Sequence, residues 1–144
     1  AVAQEELQKL KALLADHKGP TPHLVVMLIG DNPASQVYVK KKAETARQIG
    51  MRSTVLTYPA DVTQVKVEAE IARLNADNDV HGLLIQLPLP DQLDTERVLN
   101  LVDPGKDVDG FNPENMGRLM AGNLPPALPC TPFGMMKLLQ HYNI

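Results

Sequence analysis

Tyr38 and Lys42 stand one helical turn apart in the stretch YVKKK, so a helix through this segment puts a phenol and an amine on the same face. Three consecutive lysines run here, and residue type alone does not separate them. Helix geometry does. At about 100° per residue, Val39, Ala43, Ala46 and Gly50 fall within roughly 60° of one another, a small-residue stripe suited to packing on a sheet. Lys42 lies about 70° from the centre of that stripe, Lys40 about 90° away on the other side, and Lys41 nearly opposite. Lys42 has Ser35, Tyr38 and Ile49 as helical neighbours, whereas Lys40 shares its side with Glu44 and Arg47. A partly desolvated ammonium with two like charges nearby is disfavoured relative to its amine. Such a lysine can serve as a base, a proton shuttle or a nucleophile. The competing reading from helix position alone is a solvated edge for all three.

Gln86 interrupts an otherwise apolar run, VHGLLIQLPLP. A buried amide needs partners, and at the end of a strand these are a ligand, a catalytic amine or the backbone of a loop. Asp107 and Asp109 in KDVDGF are two residues apart and point the same way in extended chain. The pair is a weak metal signal without a companion His or Glu cluster. It reads instead either as a plain turn or as one structural carboxylate and one acceptor for a ligand bearing N–H groups. Gly30 to Ser35 (GDNPAS) resembles a phosphate loop only superficially, since it lacks the Gly-Lys-Ser/Thr ending, and no G-x-G-x-x-G follows a strand. The four histidines are scattered singly.

These candidates need a scaffold. The chain has 144 residues, a net charge of −3 and 22% charged residues, enough for one domain with a real core and without a basic field to recruit nucleic acid or an anionic membrane. A small molecule is the expected partner. Cys130 is the only cysteine, which excludes an internal disulfide and suits a reducing, cytoplasmic setting. The longest apolar run, near Gly82 to Leu89, is too short to span a bilayer. Beginning at Ala1 without an initiator methionine, the sequence reads as a piece of a longer protein.

Leu7, Leu10, Leu13 and Leu14 recur at helical spacing and predict an amphipathic first helix ending near Gly19-Pro20. Leu24 to Ile29 reads as a strand covered on both faces. Asp31-Asn32-Pro33 starts a helix that runs to Gly50. A second strand over Thr54 to Tyr58, a helix over Val65 to Leu74, a strand over Val80 to Leu87 and a helix over Thr95 to Val102 follow. Asp103 to Asn115 reads as loop, Asn123 to Pro132 as an extended connector, and Thr131-Pro132 as the cap of a last helix. This alternation predicts an α/β fold, a mainly parallel sheet between helices in three layers α/β/α. In such sheets ligands bind beyond the carboxyl ends of the strands, the edge where the YVKKK helix begins and Gln86 sits.

Four segments in order, IGDNPASQVYVKKKAETARQIGM, VHGLLIQLPLP, PGKDVDGFNPENMGRL and PCTPFGMMKLL, closely resemble the bifunctional methylenetetrahydrofolate dehydrogenase/methenyltetrahydrofolate cyclohydrolase family over essentially the whole chain. The resemblance implies that residues 1–144 are its tetrahydrofolate-binding catalytic domain. The helix from about 132 then leads toward an NADP-binding Rossmann domain that these residues do not include. It implies Lys42 as the principal catalytic residue, Tyr38 lying against the folate, Gln86 hydrogen-bonding the lysine and Asp109 holding the pterin. Ser35, Ile85 and Leu87 are implied as further substrate contacts. No cofactor-binding or metal-ligating residue is implied within this chain. The implied activity is oxidation of 5,10-methylenetetrahydrofolate with NADP and hydrolysis of the product to 10-formyltetrahydrofolate, in a cytoplasmic homodimer. A folate-binding module without a complete active site is the alternative.

Overall fold

The computed structural model describes Val2–Ile144. Its centre is β1 (His23–Ile29), whose HLVVMLI run is buried along nearly its full length. The reason is topological: β1 lies between β2 (Arg52–Tyr58) and β3 (Gly82–Ile85), both parallel to it, in the order β2-β1-β3. Val26 is level with Val55 on one side and Leu84 on the other. A single parallel bridge between Leu83 and Asp107 continues the pairing beyond β3.

Successive strand residues face opposite layers. Val25, Met27, Ile29, Leu83 and Ile85 pack with Val67, Ile71 and Leu74 of α3 (Gln64–Ala76) and Val98 of α4 (Thr95–Leu101). Val26, Leu28 and Leu84 face the other way, toward Val39 of α2 (Pro33–Gln48). Helices therefore cover both faces, as the alternating pattern predicts. The predicted small-residue stripe of α2 is buried at Val39, Ala43 and Ala46, and Ser35 joins it. Gly50 lies past the helix with φ +102°, a left-handed conformation that glycine accepts readily.

The helix starts carry their own chemistry. Asn32 accepts from the Ser35 amide at 3.0 Å and is followed by Pro33, while Thr63 and Asp94 cap α3 and α4 in the same way. The structure departs from the sequence reading at three main places. β3 is shorter than the predicted Val80–Leu87 strand, because Pro88 has no amide to extend the ladder. Residues 113–115, read as loop, open a further helix, α5 (Pro113–Met120), capped by Asn112. The last helix, α6 (Cys130–His141), starts at Cys130 without a side-chain cap, rather than on Thr131. α1 (Val2–Asp16) forms as predicted but buries none of its leucines fully, and Leu13 stays 68% exposed.

Candidate functional site

Gln86 follows Leu84 by two residues and so leaves β3 on the α2 side of the sheet. Its amide N–H still reaches Met27 O at 2.9 Å, which holds the backbone in register one residue past the strand. There the side chain meets α2: Lys42 Nζ donates to Gln86 Oε1 at 3.1 Å. Gln86 Nε2 donates to the carbonyl of Leu87 at 2.7 Å, so the amide oxygen is left for the lysine. Ser35 Oγ donates to that same carbonyl at 3.4 Å. The first and third turns of α2 thus grip the Gln86-Leu87 corner, whose Leu87-Pro88 peptide is cis.

The corner opens into a cleft of about 1030 Å³. Lys42, Tyr38, Gln86, Asp109, Ile85 and Leu87 all line it. Its walls are mainly apolar, with Leu24, Ile49, Met51, Leu84 and Val108 among them. Tyr38 stands at the rim, 61% exposed, one turn before Lys42. Of the three lysines, Lys42 is half-buried and Lys40 and Lys41 are exposed. Lys41 nonetheless borders the cleft, whereas Lys40 does not. Ser35 is buried behind the wall and is absent from the lining.

The two aspartates of KDVDGF part company. Asp107 is buried and accepts from the Gly110 amide at 3.0 Å, the Asn112 amide at 2.9 Å and Asn115 Nδ2 at 3.1 Å. Asp109 enters the cleft. Burial raises its carboxyl above the ordinary value, an effect that Lys42 opposes and the Asp107 charge reinforces. An acceptor half-buried in an apolar wall beside an amine is equipped to bind a ligand's N–H groups.

Cys130 escaped the sequence reading as a site residue. It lies in the cleft wall, its Sγ donates to Val108 O at 3.5 Å, and burial followed by the Asp109 charge pushes its thiol upward. No pattern marks it, since a long connector separates it from Asp109. Phe111, and Leu7 and Leu10 of α1, were missed as lining residues for the same reason. Among the described residues no group of three or more His, Cys, Asp and Glu is placed to hold a metal ion. No helix there is long and apolar enough to cross a membrane. His23 is buried at the opposite end of β1, with Nε2 2.9 Å from Thr54 Oγ1 and Nδ1 3.0 Å from Asp79 O, which is a structural tie.

A lysine–amide pair at the carboxyl edge of a parallel α/β sheet, opening on an apolar cleft with one acidic anchor, is the arrangement of a small-molecule site. Residues 1–109 match the sequence profile of the tetrahydrofolate dehydrogenase/cyclohydrolase catalytic domain. The chain belongs to that family. The bifunctional protein FolD of Oleidesulfovibrio alaskensis is 51% identical over 144 residues, which are all of this chain and 50% of that protein. The crystal structure of the bifunctional FolD methylenetetrahydrofolate dehydrogenase/cyclohydrolase from Campylobacter jejuni superposes with a TM-score of 0.91 at 46% identity, over 99% of this chain and 51% of that one. The Trypanosoma brucei dehydrogenase-cyclohydrolase, solved with NADP cofactor and an inhibitor, gives 0.93 at 34% identity, over 99% and 50%. The chain therefore spans about half the length of the relatives it matches.

Proposed function

We propose that this chain supplies the folate site of an enzyme that oxidises 5,10-methylenetetrahydrofolate to the 5,10-methenyl cation and hydrolyses that cation to 10-formyltetrahydrofolate. The observation that carries the reading is the 3.1 Å bond between Lys42 and Gln86 at the mouth of a cleft that also holds Tyr38 and Asp109. The apolar walls take the flat pterin, Tyr38 lies against it, and Asp109 accepts its amino and ring N–H groups.

In the hydrolytic step, Gln86 orients the amine of Lys42 toward the methenyl carbon. Water adds to that carbon and gives one proton to the amine, leaving a neutral carbinol. The carbinol hydroxyl then loses its remaining proton as the carbon–oxygen double bond forms, the bond from the carbon to N5 breaks, and N5 takes up a proton, leaving the formyl group on N10. The proton transfer needs a lone pair on Lys42 Nζ, which an amine has and an ammonium lacks. Ser35 acts behind the wall by holding the Leu87 carbonyl.

NADP is the implied hydride acceptor, but the described residues do not fit it. The loop after β1 enters α2 through Pro33, which lacks an amide, and the Asn32 side chain already occupies the Ser35 amide. The phosphates would find few free donors there. The cofactor belongs, in this reading, to a further domain reached through α6. Support comes from the apolar residues that α6 leaves exposed, Phe133, Met135, Met136 and Leu138 among them, and from the twofold length of the relatives. The full-length protein is read as a cytoplasmic homodimer, and the outer edge of β2, which no strand among the described residues pairs with, is a surface available for pairing.

The test is the ultraviolet absorbance of 5,10-methenyltetrahydrofolate in the presence of the protein. Enzyme-dependent loss supports the reading. Binding without loss supports the alternative, a folate-binding module lacking a complete active site, and neither binding nor loss removes the folate assignment.

A further inference from the structure

The turn that carries Asp109 into the cleft is held by residues that do not touch the cleft. Lys106 reaches away from it and donates through Nζ to three carbonyls at the end of α3, Leu74 at 2.9 Å, Asn75 at 2.7 Å and Asp77 at 2.7 Å. All three ammonium protons have backbone acceptors, which also caps the negative end of that helix. The Lys106 carbonyl accepts from the Leu83 amide at 2.7 Å, tying the turn to β3. Next to it, the two oxygens of buried Asp107 accept three hydrogen bonds, two of them from the amides of Gly110 and Asn112. The third comes from Asn115, whose Nδ2 also reaches the Pro104 carbonyl at 2.9 Å. Asp109 lies between the donors that Asp107 holds and the strand that presents Gln86. Its path is specified from both sides.

We propose that Asp107 is a positioning residue for Asp109, with Lys106 as its anchor: by gathering the Gly110 and Asn112 amides on one carboxylate, it fixes the turn that aims Asp109 into the cleft opposite Lys42. The proposal rests on the folate reading for its substrate. A merely structural carboxylate would stabilise the fold wherever the turn pointed. A positioning one is felt at the ligand, and only while Asp109 is there to transmit it. Asp107 also contributes charge, since Asp109 faces Lys42 from α2, Cys130 from α6 and Asp107 along its own turn, and of these only the other aspartate and burial raise its carboxyl.

The experiment is a double-mutant cycle in the full-length protein, read as the dissociation constant for tetrahydrofolate. Asp107→Asn should weaken binding about tenfold, because a displaced anchor loses its contacts. In an Asp109→Asn background the same change should cost less than about twofold. An equal loss in both backgrounds, or unchanged binding by Asp107→Asn, overturns the proposal. If Asp107→Asn does not fold, Lys106→Met enters the same cycle under the same criteria, since it removes the three carbonyl bonds without touching the cleft. A second readout needs no folate: carbon-13 titration of the Asp109 carboxyl in Lys106→Met, whose midpoint should fall through loss of burial, since Lys106 is not among the charges acting on Asp109. If the wild-type protein does not bind tetrahydrofolate, the functional reading fails alone, and the titration still decides the proposal, an unmoved midpoint overturning it.

Discussion

Lys42 Nζ and Gln86 Oε1 are 3.1 Å apart although 44 residues separate them in the chain. The contact exists because α2 packs its small-residue face on the sheet and β3 ends level with the third turn of that helix. Replacing Lys42 with Met in the full-length protein should lower the hydrolysis rate by about a hundredfold or more, the range lost with a general acid–base group. Lys42→Arg should not rescue it, since a guanidinium cannot take up a proton. Gln86→Ala, which leaves the amine without its orienting acceptor, should cost roughly tenfold, the worth of one hydrogen bond to a chargeable group. The decay of methenyl absorbance measures all three, and near-normal hydrolysis by Lys42→Met would remove Lys42 from the chemistry.

Tyr38 exposes 61% of its surface at the rim of the cleft, so little of the fold depends on it. Its ring has apolar area to offer a stacked ligand, a pairing worth about 1 kcal/mol beyond burial itself. Tyr38→Ala should raise the dissociation constant for tetrahydrofolate about tenfold, and Tyr38→Phe should keep most of the affinity. Thermal unfolding should be nearly unchanged. Equal affinity in the alanine variant and the wild type would take the ring out of the binding site.

Burial is the main reason that the Asp109 carboxyl lies above its ordinary value of 3.8, and the consequence for stability has a definite sign. Between 3.8 and the raised folded value, the unfolded chain has released a proton that the folded chain retains. Stability therefore falls as pH rises through that window, and the loss is complete above it. Asp109→Asn should thus melt higher than the wild type near neutral pH while binding folate less well, and its advantage should shrink as pH drops to 3.8. Calorimetric melting across that range checks the trend. A neutral-pH melting point below that of the wild type would contradict it.

Gly110 has φ +69°, and a Cβ built there would stand 2.9 Å from Pro129 N and 3.1 Å from Leu128 C. Both are backbone atoms and cannot swing aside. Gly110→Ala combines left-handed strain with overpacking where the Asp109 turn meets the connector to α6, and should destabilise by about 2 kcal/mol or more. Gly50→Ala is the control. It shares the positive φ but has open space around it, so its cost should be about 1 kcal/mol. Denaturant midpoints of the two variants separate crowding from conformational strain.

Several elements were legible because their signals are local. The LVVMLI run suited a doubly covered strand better than a half-exposed one, and Asn32-Pro33 marked the start of α2 with a side chain that does accept the Ser35 amide. The same signal stood at Asn112-Pro113, where α5 begins, but the density of Gly, Pro and Asp just before it favoured a loop. Helix angles put Lys42 on the sheet side and Lys40 in solvent, as found, yet they sent Lys41 outward when it borders the cleft.

The amino-acid sequence by itself determined the alternation of strands and helices, the face on which α2 packs, and the segments that mark the family, because periodicity, capping and motif order are properties of neighbouring residues. Tertiary structure alone decided which groups share one cleft. Lys42, Gln86, Asp109 and Cys130 come from α2, the end of β3, an irregular turn and the start of α6. Only parallel pairing of β1 with β3, together with the bridge from Leu83 to Asp107, brings these ends to one edge. It also divided the labour of two aspartates that look equivalent in KDVDGF. Three donors closed around Asp107, while Asp109 was left with its acceptor facing the cleft.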